Sequence, residues 1–371
     1  MSGDFCVDSN SALSLRFHSS ESRSDQVPAL FTHHFFEDEK IYGYKNLSIT
    51  LEICRHSLDT FYKIKFDEEM ELETLKVNDI KGVFEHVFGF KLLESEEEFH
   101  KALQTPIEKL GKKEKAFEIG SKKFSVNLLD AEATDKKNIL QKLQGLNHLF
   151  IEDASHIDFN DKNWESYIIY FDDKEGFASI AGFMSVFNFF AFPNKKRKRI
   201  SQFIILPEYQ RIGLGTELLK IFYKRCQSDD WTQDFTVEEP NSEFTQLRDK
   251  LDFSLISKDQ NLPVGRLTDF LQYLEKEYKY EKAQALKLYK MMKIFQTLKR
   301  KECIDSLEKD LLDLFNKHNY KIIARVESLK DLHPDINLTI KDSLYSFIMQ
   351  FRHNFSELKQ LVMKYDPSLE S

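Results

Sequence analysis

Hydrophobic and polar residues alternate in the first part of the chain, which is the pattern of strands that bury one face. The alternation predicts strands at Ser11–Phe17, Leu47–Ile53 and, less regularly, Phe61–Phe66. Ser95 stands three residues before a glutamate and ahead of an apolar stretch, and this capping-box spacing predicts the start of a helix. Residues 1–130 are therefore predicted to form a mixed α/β domain.

The pattern changes in the middle of the chain. Apolar residues recur at helical spacing over Asp135–Phe150, which predicts one amphipathic helix. Trp164–Phe171 and Ala178–Phe192 are rich in β-branched and aromatic residues and predict strands, and Phe203–Leu206 is a short apolar run typical of a buried strand. These elements delimit a central domain over residues 131–258.

The last part of the chain, residues 259–371, carries apolar stripes at three- and four-residue spacing. Such stripes predict long helices whose apolar faces pack in a core or against a partner helix. The last of these helices is predicted at Ser343–Tyr365. We therefore expect a helical C-terminal domain, and nothing in its stripes indicates chemistry.

Five consecutive basic residues, Lys195–Arg199, lie between two predicted strands. Because the run is short and bounded by strands, it is predicted to be a solvated hairpin turn. A nuclear-import signal and an anion-binding patch are the alternatives.

Composition narrows the protein class. No apolar run approaches the roughly 20 residues that span a bilayer, and the N-terminus lacks the features of a signal peptide, so we expect an intracellular protein without membrane contact. The formal charge of −8 argues against direct nucleic-acid binding and suits a basic partner, although solubility would explain it equally well. The cysteines are far apart and form no metal-binding pair, so we expect free thiols and no metal site; they are Cys6, Cys54, Cys226 and Cys303.

A strand, a loop with two glycines and a helix follow one another around Gln210–Gly215. The glycines allow close approach of a ligand, and the first-turn N–H groups of the helix would point at an anion. A tight turn without a ligand is the alternative. The third glycine of a dinucleotide-binding fold and the Gly-Lys-Ser/Thr of a P-loop are both missing, which excludes those two phosphate loops.

The loop fits the Gln/Arg-x-x-Gly-x-Gly pattern of the acetyltransferase superfamily, and six blocks in order resemble the catalytic subunit of type B histone acetyltransferases. The blocks are Phe36–Glu39 with Tyr42–Lys45, Phe150–Ser155, Met184–Phe190, Arg199–Phe203, Gln210–Gly215, and Phe235–Pro240 with Leu247–Asp249. The resemblance implies an α+β fold with a GNAT core, which is a mixed, mostly antiparallel sheet with flanking helices. Residues beyond 258 resemble the family only in their helical character.

The resemblance also implies acetyl-CoA as the co-substrate. Backbone groups of three strand residues should pair with its pantetheine arm, and the glycine loop should hold its pyrophosphate. The implied cofactor-binding residues are Phe203, Ile204, Ile205, Gln210, Arg211, Ile212, Gly213, Leu214, Gly215 and Thr216. Leu214 replaces a polar or aromatic residue of several relatives, so at that position only the backbone contact is expected.

Acetyl transfer to lysine requires a neutral amine, and a lysine side chain is almost fully protonated at pH 7, so a carboxylate must accept a proton. Glu238 matches the family's catalytic glutamate in a Val-Glu-acidic-Pro motif, and Glu152 and Glu239 match further acids of the active site. Solvated strand ends are the alternative for these glutamates. Direct attack of the amine is expected, without an acylated enzyme.

The implied substrate is the tail of newly synthesised, soluble histone H4, and histone H3 is implied only as a partner that accompanies H4. The acidic residues Glu37, Asp38 and Glu39 match a segment that helps to bind the basic tail, although most such triplets are plain surface turns. Phe187, Asn188 and Phe189 match a peptide-contacting strand. Relatives act with a WD40-repeat histone chaperone, so that partner and a location in nucleus and cytoplasm are expected. The alternatives are an acetyltransferase for a small amine or a protein N-terminus, and a histone-binding scaffold without catalysis.

Overall fold

The computed structural model describes residues 5–19, 22–70, 79–129, 136–172, 178–318 and 352–370. The chain separates into two compact units, residues 1–239 and 240–371. The first unit holds all strands of the described residues, and the second is built from helices.

A four-stranded sheet forms the core of the N-terminal region, in the order β3–β2–β6–β7. The strands of this region are β1 (Cys6–Asp8), β2 (Leu13–His18), β3 (Val27–Pro28), β4 (Lys40–Tyr42), β5 (Tyr44–Lys45), β6 (Ser48–Cys54), β7 (Thr60–Lys65) and β8 (Glu68–Glu69). The alternation that predicted three strands is visible in β2, where every second residue is buried. β2 and β6 are parallel, whereas β6 and β7 are antiparallel. All three predicted strands are confirmed as β2, β6 and β7.

The described residues of the first unit form five α-helices: α1 (Ser9–Ala12), α2 (Ile80–Phe88), α3 (Glu96–Gln104), α4 (Lys136–Phe150) and α5 (Leu214–Ser228). The predicted cap of α3 is present, because the Ser95 hydroxyl accepts a hydrogen bond from the Glu98 N–H at 3.2 Å. The Glu98 carboxylate in turn accepts from the N–H of Glu94 at 2.8 Å, one residue earlier than in a standard capping box.

A six-stranded sheet is the second core of this unit, in the order β14–β13–β12–β11–β10–β9. Its strands are β9 (Lys112–Ile119), β10 (Lys122–Leu129), β11 (Trp164–Asp172), β12 (Ala178–Ala191), β13 (Lys195–Ile205) and β14 (Thr232–Val237). All neighbours are antiparallel except β13 and β14, which are parallel. Because β9 and β10 belong to this sheet, it begins before the domain boundary predicted at residue 130.

The basic run Lys195–Arg199 lies inside β13, so the prediction of a hairpin turn is wrong. Lys198 is 2% exposed, and its ammonium donates to both oxygens of Glu165 at 2.9 and 3.0 Å. Arg197 forms a bidentate pair with Asp234 on the neighbouring strand, at 2.5 and 2.6 Å. Acidic residues of β11 and β14 thus neutralise part of the run within the sheet.

The second unit contains α6 (Ser242–Ile256), α7 (Leu267–Tyr273), α8 (Lys282–Lys299), α9 (Ile304–His318) and a helical stretch over residues 352–365. Two carboxylates of α6 are almost fully buried and are met by polar side chains of α8. Gln284 donates to Asp252 at 2.7 Å, and Lys287 donates to Asp249 at 2.5 Å. The predicted last helix is confirmed over its described part, while residues 343–351 lie outside the described residues. Within the described ranges, no helix is both long and apolar enough to cross a membrane.

Two aromatic rings pack against Gly145 of α4. By helix propensity alone, a glycine at this position lowers the stability of the helix. A Cβ at this position would lie 2.7 Å from Phe88 Cδ1 and 3.1 Å from Phe90 Cε1. These two rings are stacked on each other, with centroids 5.2 Å apart. The glycine therefore permits close contact between α4 and the end of α2.

Replacing Gly145 by valine should lower the free energy of unfolding by about 2 kcal/mol, because overpacking must displace the two rings. Urea denaturation of the variant and the unaltered chain measures this difference. Lys137→Val provides the control, since Lys137 is exposed on the same helix and carries the same β-branched cost without the clash. Equal effects of the two substitutions would contradict the packing role of Gly145.

Candidate active site

The glycine loop leads from β13 into α5. After β13, the Leu206 N–H donates to Ala181 O at 3.0 Å, and a 3₁₀ turn spans Pro207–Tyr209. The Gln210 amide then donates back to Ile205 O at 2.8 Å and closes the loop. The side chain of Gln210 thus stabilises the loop, and the loop's own backbone is left to face a ligand.

The residues at the start of α5 fit a pyrophosphate group. Gly213 has φ +101°, a conformation that favours glycine, and a Cβ there would meet no atom within 4 Å. Gly213 is the N-cap of α5 and has no side chain to bond the N–H groups of the first turn. Because α5 is 15 residues long, the positive end of its dipole is available to an anion there. Leu214 is 1% exposed, so its side chain is buried rather than offered to a ligand.

The predicted pantetheine-binding residues lie where β13 extends beyond β14. The parallel register runs from Lys196 opposite Thr232 to Ile200 opposite Val237, and β13 continues to Ile205. On its other side, β13 remains paired with β12 through these last residues. The structure thus places Phe203, Ile204 and Ile205 on a strand whose second neighbour has ended, as an extended ligand arm requires.

Glu238 follows the last paired residue of β14. Its N–H donates to Ile200 O at 2.9 Å, and its carboxylate accepts a hydrogen bond from the Ser201 hydroxyl at 2.6 Å. The side chains of Glu238 and Glu239 are exposed, and Glu239 has a left-handed backbone with φ 34°. The end of β14 therefore presents two carboxylates beside the extended part of β13.

Glu152 is held near the same part of β13 by Gln202, a residue that the sequence analysis did not single out. The Gln202 amide donates to Ser155 O at 2.8 Å, and Asn147 of α4 donates to the Gln202 side-chain oxygen at 2.7 Å. Gln202 is 2% exposed, so this link is buried, whereas the side chain of Glu152 is exposed. The Arg-Ile-Ser-Gln block, which carried part of the family resemblance, contains both Ser201 and Gln202. That block was the sequence feature by which these two residues could have been identified.

The acidic residues Glu37–Glu39 form a 3₁₀ turn anchored by aromatic packing, with Glu37 and Asp38 exposed and Glu39 half-buried. Phe36 is 2% exposed and meets Phe84 of α2 edge-on at 5.9 Å. The preceding segment crosses the end of α4, since the N–H groups of Leu30 and Phe31 both donate to Leu149 O. His34 then approaches Glu152 O, with Nε2 at 2.8 Å. The segment that leads into the acidic turn thus contacts both the end of α4 and the Glu152 backbone.

The three predicted peptide-contacting residues do not share a face. Phe187 stands opposite Trp164 on β11 and opposite Arg199 on β13, and the Phe187 and Phe189 rings are 4.6 Å apart. Asn188 points to the other, buried face, where its amide donates to Glu165 at 3.2 Å. Only the two phenylalanines are therefore positioned to contact a peptide through their side chains.

Four histidines cluster around His148 of α4; the members are His33, His34, His148 and His156. The rings of His33 and His34 are 4.1 Å apart, and those of His34 and His148 are 4.8 Å apart. Burial, together with the charges that the other three histidines carry when protonated, lowers the pKa of His148 to about 4. In the described part of the chain, no three His, Cys, Asp or Glu side chains are grouped as metal ligands.

Two family models match this chain. The first, described as the N-terminus of the histone acetyl transferase HAT1, matches residues 5–152. The second, the acetyltransferase (GNAT) family, matches residues 137–247, which include β11 to β14 and α5. The GNAT match agrees with the mixed sheet and the glycine loop at the start of α5, so the predicted α+β fold with a GNAT core is confirmed.

Similar proteins include the type B histone acetyltransferase catalytic subunit of Candida albicans, 30% identical over 76% of this chain and 72% of the relative. The subunit from Kluyveromyces lactis is 28% identical over 78% of this chain and 79% of the relative, and the human one is 26% identical over 72% and 68%. Among solved structures, an aminoglycoside acetyltransferase from a soil metagenomic sample covers 37% of this chain and 88% of its own, with 16% identity and a TM-score of 0.27.

The low pKa of His148 should make the protein less stable in acid. In the unfolded chain a histidine titrates near 6.5, so between about pH 6.5 and 4 the unfolded state binds more protons and stability falls as the pH falls. At pH 5 this one group should cost about 2 kcal/mol relative to pH 7.5. Chemical denaturation at both pH values should show that His148→Gln removes most of this loss. An equal effect of His86→Gln, at an exposed histidine of α2, would contradict the assignment.

Proposed function

Because this chain belongs to the type B histone acetyltransferase catalytic subunits, we propose that it transfers acetyl from acetyl-CoA to lysines on the tail of newly synthesised, soluble histone H4. The observation that carries the proposal is the position of Glu238. Its carboxylate accepts a hydrogen bond from Ser201 of the extended end of β13, and the next residue of that strand, Gln202, donates to Ser155 O in the loop that follows Glu152.

Acetyl-CoA supplies an activated thioester carbonyl. The N–H groups at the start of α5 would hold its pyrophosphate, and the backbone of Phe203–Ile205 would align its extended arm. Glu238 accepts the proton of the lysine ammonium, directly or through a water molecule, and the neutral amine then attacks the thioester carbonyl. The C–S bond breaks, and the CoA sulfur leaves as a thiol after taking up the second proton that the amine nitrogen loses. Glu152 and Glu239 add negative charge that favours a basic peptide over a neutral one.

Two features support a histone tail as the peptide. The exposed acidic turn Glu37–Glu39 complements a basic chain, and Phe187 and Phe189 offer an apolar surface on the sheet. An ion pair between the tail and the turn would be solvated, so it would contribute mainly to capture and orientation. The WD40-repeat chaperone and the location in nucleus and cytoplasm stay predictions from the family resemblance.

Glu238→Gln should lower kcat by at least about 100-fold, which is the usual contribution of a general base, with little change in acetyl-CoA affinity. Thioester consumption and calorimetric titration with CoA measure the two quantities. Ser201→Ala serves as the control, because it removes the hydrogen bond to Glu238 and leaves the carboxylate. Near-normal turnover by Glu238→Gln would indicate that Glu152 or a water chain, and not Glu238, accepts the proton.

Neutralising the acidic turn tests the substrate. In the triple variant Glu37→Gln, Asp38→Asn, Glu39→Gln, KM for an H4 tail peptide should rise about 10-fold at low salt, because three attractive charges are lost. KM for acetyl-CoA should not change.

Spermine and an H3 tail peptide are compared with the H4 tail peptide as acceptors of the unaltered enzyme. Turnover of spermine alone would overturn the histone assignment and favour a small-amine acetyltransferase.

A further inference from the structure

A buried arginine of the N-terminal region holds the turn that precedes the glycine loop. Arg55 follows β6 and donates to both carboxylate oxygens of Glu208, from Nε at 2.8 Å and from Nη2. Its Nη1 donates to the hydroxyl of Ser22 at 2.8 Å. Arg55 is 9% exposed, so the guanidinium makes a bidentate ion pair that is largely shielded from water.

The backbone of Arg55 is fixed by both sheets. Its N–H donates to His18 O of β2 at 2.8 Å, and its carbonyl accepts from the Ile180 N–H of β12 at 2.9 Å. The backbone of Arg55 therefore cannot move without breaking hydrogen bonds to β2 and β12. A side chain anchored in this way can fix the position of the residue that it binds.

Glu208 lies in the Pro207–Tyr209 turn, two residues before Gln210. The adjacent Tyr209 is 5% exposed and packs against the rings of Phe124 and Phe171, with centroids 6.2 and 5.7 Å away. Neighbouring residues thus fix the turn in two directions, Tyr209 to the six-stranded sheet and Glu208 to the N-terminal region. The loop that begins at Gln210 starts from this fixed point.

We infer that Arg55 is a positioning residue for acetyl-CoA binding, which it supports through Glu208 by fixing the start of the Gln210–Gly215 loop. The inference rests on the proposed function, because that function assigns the loop to the pyrophosphate. Arg55 acts in two ways. It orients the turn through the bidentate bond, and it neutralises a carboxylate that would otherwise repel an anion bound nearby.

Stability alone would not explain this arrangement. Buried ion pairs contribute little net stability, because desolvation offsets their attraction. Here the pair joins Arg55, which is far from the glycine loop in the sequence, to Glu208, which lies just before that loop. Loss of the pair should therefore weaken binding of the pyrophosphate more than binding of the rest of the ligand. A thioester that lacks the pyrophosphate separates these two roles.

The test compares Arg55→Met with Lys142→Met. Lys142 of α4 is 8% exposed and pairs with Asp59 at 2.5 Å, so it is a similarly buried pair within the same unit but outside the glycine loop. Affinity for CoA is measured by calorimetry, and KM is measured for acetyl-CoA and for S-acetylpantetheine. Thermal unfolding records the stability of each variant.

Arg55→Met should weaken CoA binding and raise KM for acetyl-CoA by about 10-fold, with KM for S-acetylpantetheine changed less than about 2-fold. The double variant Arg55→Met, Glu208→Gln should recover part of this loss, because no unpaired carboxylate remains near the anion. Lys142→Met should lower thermal stability without changing CoA affinity. If Arg55→Met does not fold, Arg55→Lys keeps the charge without the bidentate geometry and should weaken CoA binding about 3-fold or more.

Equal CoA affinity in the unaltered chain and in the Arg55 variants would overturn the inference and leave the proposed function intact. Equal losses with acetyl-CoA and S-acetylpantetheine would also overturn it, because they would indicate a general structural role. Failure of the unaltered chain to bind CoA would instead overturn the proposed function on which the inference rests.

Discussion

The candidate site depends on one constraint, which is that the parallel pairing of β13 and β14 ends before β13 does. The register stops at Ile200 and Val237, while β13 continues to Ile205 under pairing from β12 alone. Glu238, the glycine loop and the residues expected to align the ligand arm all follow from this ending. A sheet paired along the full strand would bury its backbone groups in the ladder and leave no edge for a ligand.

The polar groups around this edge are arranged in two layers. The acids Glu238, Glu239 and Glu152 are exposed, and hydrogen bonds to β13 fix the backbone at Glu238 and the loop that follows Glu152. Gln202 is the clearest example, because it joins α4 and the Glu152 loop to β13 through its amide. Buried polar groups are costly unless they are satisfied, so such a link specifies one arrangement of three segments. The same reasoning applies to the Arg55–Glu208 pair, which lies just beyond this end of β13.

Local patterns predicted local structure. Alternation identified β2, β6 and β7, and the strand, loop and helix around Gly213 were placed correctly, since periodicity and glycine act within a few residues. The run Lys195–Arg199 was misplaced because its role depends on acids of other strands, Glu165 and Asp234, which lie near it only after folding. Arg55 has no sequence pattern of its own, and the Arg-Ile-Ser-Gln block marks Gln202 without showing its partners. Their partners are distant in the chain, so only the folded structure reveals what they do.

The acidic turn shows how an exposed segment can still have a fixed shape. Asp38 and Glu39 both have left-handed backbones, with φ 51° and 55°, which costs roughly 1–3 kcal/mol for each residue and persists only where the surroundings enforce it. The enforcement comes from Phe35 and Phe36, which are buried against the rings of α2 just before the turn. The backbone that carries these carboxylates is therefore already ordered, so a cation that binds there costs the turn little further backbone entropy.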